Sequence, residues 1–200
     1  VINGWIRSGP MLGIEITRLA DTNDAGKGVV ITTYANLRDN AALIKRNWDL
    51  VVADEAQMIS QNKQGEITDA GQAYQAITMH PDGARQRTRM KDPDLAKALD
   101  DLQERLDAAE KAKDRQLAHL LSAQMQPLWR RFNVLLEQTR VEIADAQGAN
   151  RTRALWLSAT PFAWEKSVRM ANGYLFDWNK NFVESSGYNA PNAYQAFYIQ

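Results

Sequence analysis

Three rhythms of apolar and polar residues organise this chain. The first is an unbroken apolar run, Leu50-Val51-Val52-Ala53, closed by Asp54 and Glu55. Apolar on both faces, such a run predicts a central strand of a parallel sheet. Val29-Val30-Ile31-Thr32-Thr33-Tyr34 and Ala154-Leu155-Trp156-Leu157 predict two more strands of the same kind. The second rhythm is the alternation over residues 11–19, the period of a half-buried strand. The third is helical. Leu37, Ala41 and Ile44 predict a helix from Ala35 to about Arg46. Leu95, Leu99, Leu102, Leu106 and Ala109 step by fours and threes, the spacing of a packing seam. Pro93, flanked by Asp92 and Asp94, suits the start of that helix. The seam fades near Lys113 and resumes at Leu117 and Leu121. Pro127 is expected to interrupt the helix, because proline lacks an N–H and clashes with the preceding turn. Leu128, Phe132, Leu135 and Leu136 then carry a second amphipathic helix to about Ala146. Together these predict a helical hairpin at about 93–146.

Between the strands and the hairpin the chain is polar. Residues 59–80 hold Gly65, Gly71 and scattered apolar positions, and Pro81-Asp82-Gly83 is a turn. Arg85, Arg87, Arg89 and Lys91 form a basic cluster, either a solvated face or a phosphate-binding patch. After Pro161 a helix is expected to carry Trp164, Val168 and Ala171. Trp5, Ile6 and the spaced aromatics Tyr194, Phe197 and Tyr198 read as core packing rather than base-stacking platforms. The expected division is a core over 1–58, an insertion over 59–150 and a second part of the core over 151–200.

Composition narrows the class. Two hundred residues suffice for one sizeable core, and a formal net charge of zero gives no global basic footprint for nucleic acid. Without cysteine there is no disulfide, thiol nucleophile or cysteine metal cluster, which fits a reducing, cytoplasmic setting. No apolar run reaches membrane-spanning length. The start at Val1 and the end at Gln200 read as a piece of something longer.

The chemistry concentrates at strand ends. Asp54 and Glu55 close an apolar strand, and open α/β sheets bind ligands at the carboxyl ends of their strands. One carboxylate can hold Mg²⁺ through its water shell while the next activates a water. Taken alone, the pair is equally an ordinary polar strand end. Gly26-Lys27 does not make a phosphate-cradling P-loop, since Asp21 stands where its first glycine belongs and Gly28 where its hydroxyl belongs.

Three strand ends taken together carry a resemblance. Val52-Ala53-Asp54-Glu55-Ala56-Gln57, followed downstream by Leu157-Ser158-Ala159-Thr160-Pro161, resembles motifs II and III of superfamily-2 helicases and translocases. Ile31-Thr32-Thr33-Tyr34 upstream resembles their motif Ib. The segments 48–57 and 154–176 further resemble the strawberry-notch-like branch found in phage and mobile elements. The resemblance implies a RecA-like parallel sheet flanked by helices, with the helical hairpin inserted between motifs II and III. It implies an ATP hydrolase in which Asp54 holds Mg²⁺, Glu55 activates water, and Gln57 senses the γ-phosphate. Ser158 and Thr160 would couple hydrolysis to strand movement, and Thr32, Thr33 and Tyr34 would touch nucleic acid, DNA in preference to RNA; a Thr32 or Thr33 hydroxyl equally suits the cap of the next helix. The P-loop and a second RecA-like domain would come from sequence outside these residues, so this segment alone is expected to be inactive. The insertion is far longer than a minimal core needs and leaves a protein partner on the arm open. The alternative is a non-catalytic interaction scaffold that uses the arm.

Overall fold

The computed structural model describes residues 2–19, 28–38, 40–44, 46–59, 66–146, 151–159, 170–171 and 173–174. The turn at 21–27, Thr160, the start of the helix expected from Phe162, and Tyr194, Phe197 and Tyr198 lie outside them. Helix α1 (Ile2–Ser8) leads through a short turn at Gly9–Leu12 to β1 (Ile16–Arg18) and then β2 (Val29–Ile31). Helix α2 (Tyr34–Leu37) and a single turn at Ala41–Ile44 precede β3 (Leu50–Asp54). Helices α3 (Asp69–Ile77), α4 (Ala84–Lys91), α5 (Pro93–Lys111) and α6 (Arg115–Asp145) follow, and β4 (Arg153–Leu157) closes the series. Among the described residues the fold is mixed α/β, mostly helical, with two small parallel sheets.

β3 and β4 are parallel neighbours despite the long stretch of chain between them, with Ala53 opposite Trp156 and Asp54 opposite Leu157. β1 and β2 form the other pair, Ile16 opposite Val29. Among the described residues β2 is not hydrogen-bonded to β3, so one continuous sheet is not seen. The expected strand to Tyr34 stops at Ile31, because Thr33 turns the chain as the N-cap of α2, its hydroxyl accepting from the Asn36 N–H at 3.2 Å. The expected strand over 11–19 shrinks to three residues, and Met11 and Leu12 stand exposed on the turn before it. The helix expected from Ala35 to Arg46 is broken into two single turns. β3 is covered on one face only. Leu50, Val52 and Leu155 are each 45–49% exposed, whereas Ala53 is buried.

The polar stretch after residue 59 holds the most enclosed helix. In α3, Gly71 and the run Ala73-Tyr74-Gln75-Ala76-Ile77 are buried, and Ala73, Tyr74, Ala76 and Ile77 join Ala53, Ala56 and Ile59 in the main core. Thr68 starts α3 by accepting from the Gly71 N–H at 3.1 Å. Gly71 is glycine for contact, since a Cβ there would sit 2.3 Å from the Ile59 carbonyl oxygen.

The hairpin forms with its turn in a different place. α5 ends at Lys111, Lys113 takes φ +59°, and Asp114 caps α6 by accepting from the Leu117 N–H at 3.0 Å. Pro127 lies inside α6 and does not end it. A proline costs one backbone hydrogen bond and some steric relief. The packed face of this helix, Leu121, Met125, Phe132, Thr139 and Ile143, outweighs that. Leu95, Leu99 and Phe132 form the arm's own buried cluster, each side chain contributing roughly 1.5–3 kcal/mol. Leu102 and Leu106 are only half-buried. The root is separate: Ile143 packs with Met79 and Ala84. No described helix is long and apolar enough to cross a membrane.

Candidate active site

Because Asp54 and Leu157 end neighbouring parallel strands in register, the residues after them leave the sheet at one edge. Glu55 and Ser158 therefore emerge side by side. Glu55 takes φ +55°, a left-handed conformation that only a few per cent of non-glycine residues adopt and that clusters at functional turns. Its N–H donates to Asp54 Oδ1 at 3.1 Å. Gln57 Nε2 donates to Glu55 Oε2 at 2.8 Å, and Ser158 Oγ donates to Gln57 Oε1 at 2.5 Å. A row of three side chains thus joins the end of β4 to the acidic turn of β3.

Two aromatic donors hold Asp54 from other elements. The Tyr34 hydroxyl donates to the Asp54 main-chain oxygen at 2.6 Å, and Trp5 Nε1 donates to Asp54 Oδ2 at 3.2 Å. Burial, reinforced by the charges of Asp54 and Glu55, pushes the Tyr34 phenol up to about 12, so it remains a donor at ordinary pH. Trp5 is 41% exposed and serves this edge rather than the core expected for it. Behind the site, Tyr74 of α3 donates to the Val51 carbonyl of β3 at 3.3 Å and accepts from Trp156 Nε1 of β4 at 3.1 Å. Its ring packs edge-on to Trp156 and against Tyr174. The Tyr174 hydroxyl meets Thr78 Oγ1 at 2.5 Å, and its ring stacks on the buried His80.

Of the residues expected to act here, Asp54, Glu55, Gln57 and Ser158 are gathered at one edge, and Thr160 lies outside the described residues. The expected nucleic-acid group is engaged within the protein. Thr32 Oγ1 donates to the Leu19 carbonyl at 3.1 Å, Thr33 caps α2, and Tyr34 reaches Asp54. The basic cluster is likewise tied internally. Arg87 is 2% exposed and donates to Glu142 at 2.7 Å and to the carbonyls of Ala76 and Ile44. Lys91 also pairs with Glu142, Arg89 pairs with Asp100, and Arg85 lies over the rings of Trp129 and Phe132. These cations hold the arm's root together; a solvated face is the wrong picture for Arg87 above all.

Nothing local in the sequence marks Trp5 or Tyr74 as partners of the site, because both arrive through tertiary packing. Among the described residues no three acidic or histidine side chains converge as a metal cluster. A Mg²⁺ bound with nucleotide needs only one or two carboxylates, the remaining ligands being phosphate oxygens and water. Asp54 suits that role, since both its oxygens are held by neutral N–H donors and keep lone pairs to spare. Two surface clefts lie elsewhere, one along the arm by Gln103, Met125 and Trp129 and one at its root by Arg38, Asp82 and Arg89. Neither is lined by a residue of the Glu55–Gln57–Ser158 row. Comparison with family models, curated proteins and solved structures found no match.

Proposed function

We propose that this chain is the nucleotide-hydrolysing part of a nucleic-acid-dependent ATPase, a helicase or translocase with a RecA-like first domain. The observation that supports this reading is the hydrogen-bonded row Ser158–Gln57–Glu55 across the ends of two adjacent parallel strands. A dead scaffold has no physical need for an acidic turn wired to the neighbouring strand end. In this reading Asp54 holds the Mg²⁺ that accompanies ATP, and the ion supplies charge neutralisation on the transferring phosphoryl group. Glu55 accepts the proton of the attacking water as general base. Gln57, held between Glu55 and Ser158, fixes the carboxylate's direction and transmits its state to β4. The P-loop lysine is supplied from outside these residues. DNA is the preferred polymer, and the cytoplasm the preferred location.

The test uses the full-length protein. Glu55→Gln preserves shape and removes the base, so ATP binding should persist while turnover falls to background, with and without DNA. Hydrolysis by the variant at the parent rate would sink the proposal.

A further inference from the structure

The segment Thr32-Thr33-Tyr34, which follows β2, has three hydroxyls, and two are used locally, at the Leu19 carbonyl and as the cap of α2. The third crosses to another strand. Tyr34 donates at 2.6 Å to the main-chain oxygen of Asp54, the last residue of β3. That oxygen belongs to the peptide joining Asp54 to Glu55, and the N–H of the same peptide donates to Asp54 Oδ1 at 3.1 Å. A donor on its oxygen and an acceptor for its nitrogen fix the plane of this one peptide. The residue that follows, Glu55, is held at φ +55°. A glutamate abandons that region unless its surroundings enforce it.

We propose that Tyr34 is a positioning residue for Glu55: its hydroxyl locks the Asp54–Glu55 peptide so that the Glu55 carboxylate faces the reacting water. The inference rests on the ATPase reading above. The ring is half-buried against the core shared with Ala53, which fixes the hydroxyl's place. The titratable groups that face it are Asp54 at the end of β3, Glu55 just after it, and Tyr74 of α3. Burial and the charges of Asp54 and Glu55 favour the neutral phenol, and only the neutral phenol donates.

In the full-length protein, Tyr34→Phe should lower kcat about tenfold, the weight of one well-placed hydrogen bond, while KM for ATP stays within about twofold. A purely structural tyrosine would lower the yield of folded protein and leave kcat per folded molecule unchanged, and that result overturns the inference. 4-Fluorophenylalanine at position 34, which fills the place of the hydroxyl without donating, covers the case in which Tyr34→Phe does not fold. Its kcat should fall about tenfold as well, and a kcat at the parent level overturns the inference. Glu55→Gln is measured beside them. Loss of turnover in Glu55→Gln with parent-like Tyr34 variants removes only the role of Tyr34. Retained turnover in Glu55→Gln removes the ATPase reading itself.

Discussion

The indole N–H of Trp156 donates to the phenol oxygen of Tyr74 at 3.1 Å, so a helix following the acidic turn grips the strand that carries Ser158. The same phenol donates to the Val51 carbonyl. Tyr74→Phe leaves one buried donor and one carbonyl without their partner. It should cost roughly 1–3 kcal/mol, read from the midpoint of urea unfolding. Combined with Trp156→Phe, the loss should be smaller than the sum, because both changes delete one contact.

At the root of the arm, Glu142 faces Arg87 and Lys91. Burial alone would raise its pKa, but hydrogen bonds from Lys91 and Arg87 and their charges outweigh burial and hold it below the ordinary value. The contribution is therefore complete above the unfolded value of 4.5 and disappears as pH falls below it. Glu142→Gln should flatten this acid limb in a melting-temperature profile. It should also destabilise at neutral pH by the low end of roughly 3–5 kcal/mol, since Arg87 stays buried while Glu142 is partly solvated. An unchanged acid limb would show that the pair carries no linkage.

Three phenols set the alkaline side. Burial raises Tyr34 to about 12 and pushes Tyr74 and Tyr174 further, with the hydrogen bonds to Trp156 and Thr78 only partly offsetting it. In the unfolded chain they ionise near the ordinary tyrosine value of 10.0. Stability should thus be full below that value and fall as pH rises through it. Phenolate absorbance should rise together with unfolding rather than ahead of it for these three residues.

The arm should divide into a dispensable outer part and a required root. Replacing residues 103–127 with a short glycine-rich turn retains Leu95, Leu99, Phe132 and Glu142, and the core should unfold at the parent's denaturant midpoint. Removing 93–146 entirely takes Ile143 from Met79 and Glu142 from Arg87. That deletion should lower the midpoint, as measured by circular dichroism. Leu99→Ala within the seam should cost roughly 2–5 kcal/mol, the range for an enclosed leucine.

The strands at Leu50–Asp54 and Arg153–Leu157 were legible because a fully apolar run ended in polar residues has few other readings. The grouping of Asp54, Glu55, Gln57 and Ser158 followed from that and from parallel pairing. Helix α3 was not legible. Gly71 reads as a breaker when helical propensity is all one has, yet its missing side chain is what lets the helix touch Ile59. Pro127 failed for the converse reason: local cost was visible, whereas the long packed face that overrides it was not. Arg87 looked like surface charge, since only tertiary structure brings it Glu142 and two carbonyls. Trp5 and Tyr34 reach Asp54 across 49 and 20 residues of sequence, and no periodicity records such a meeting.

The two helices of the hairpin are unequal, 19 residues in α5 against 31 in α6. At 1.5 Å per residue the difference is about 18 Å. Returning from the tip at Lys113, α6 overshoots the point where α5 began and continues across α4 to Met79 and Arg87. Mechanically this is a cantilever built into a wall, not a flag on a hinge. A load applied at the free end cannot be shed by swivelling; it bends the beam about its clamped end. Through Arg87 that clamp touches the Ala76 carbonyl, two residues from the tyrosine that ties the strands of the acidic turn and of Ser158 together.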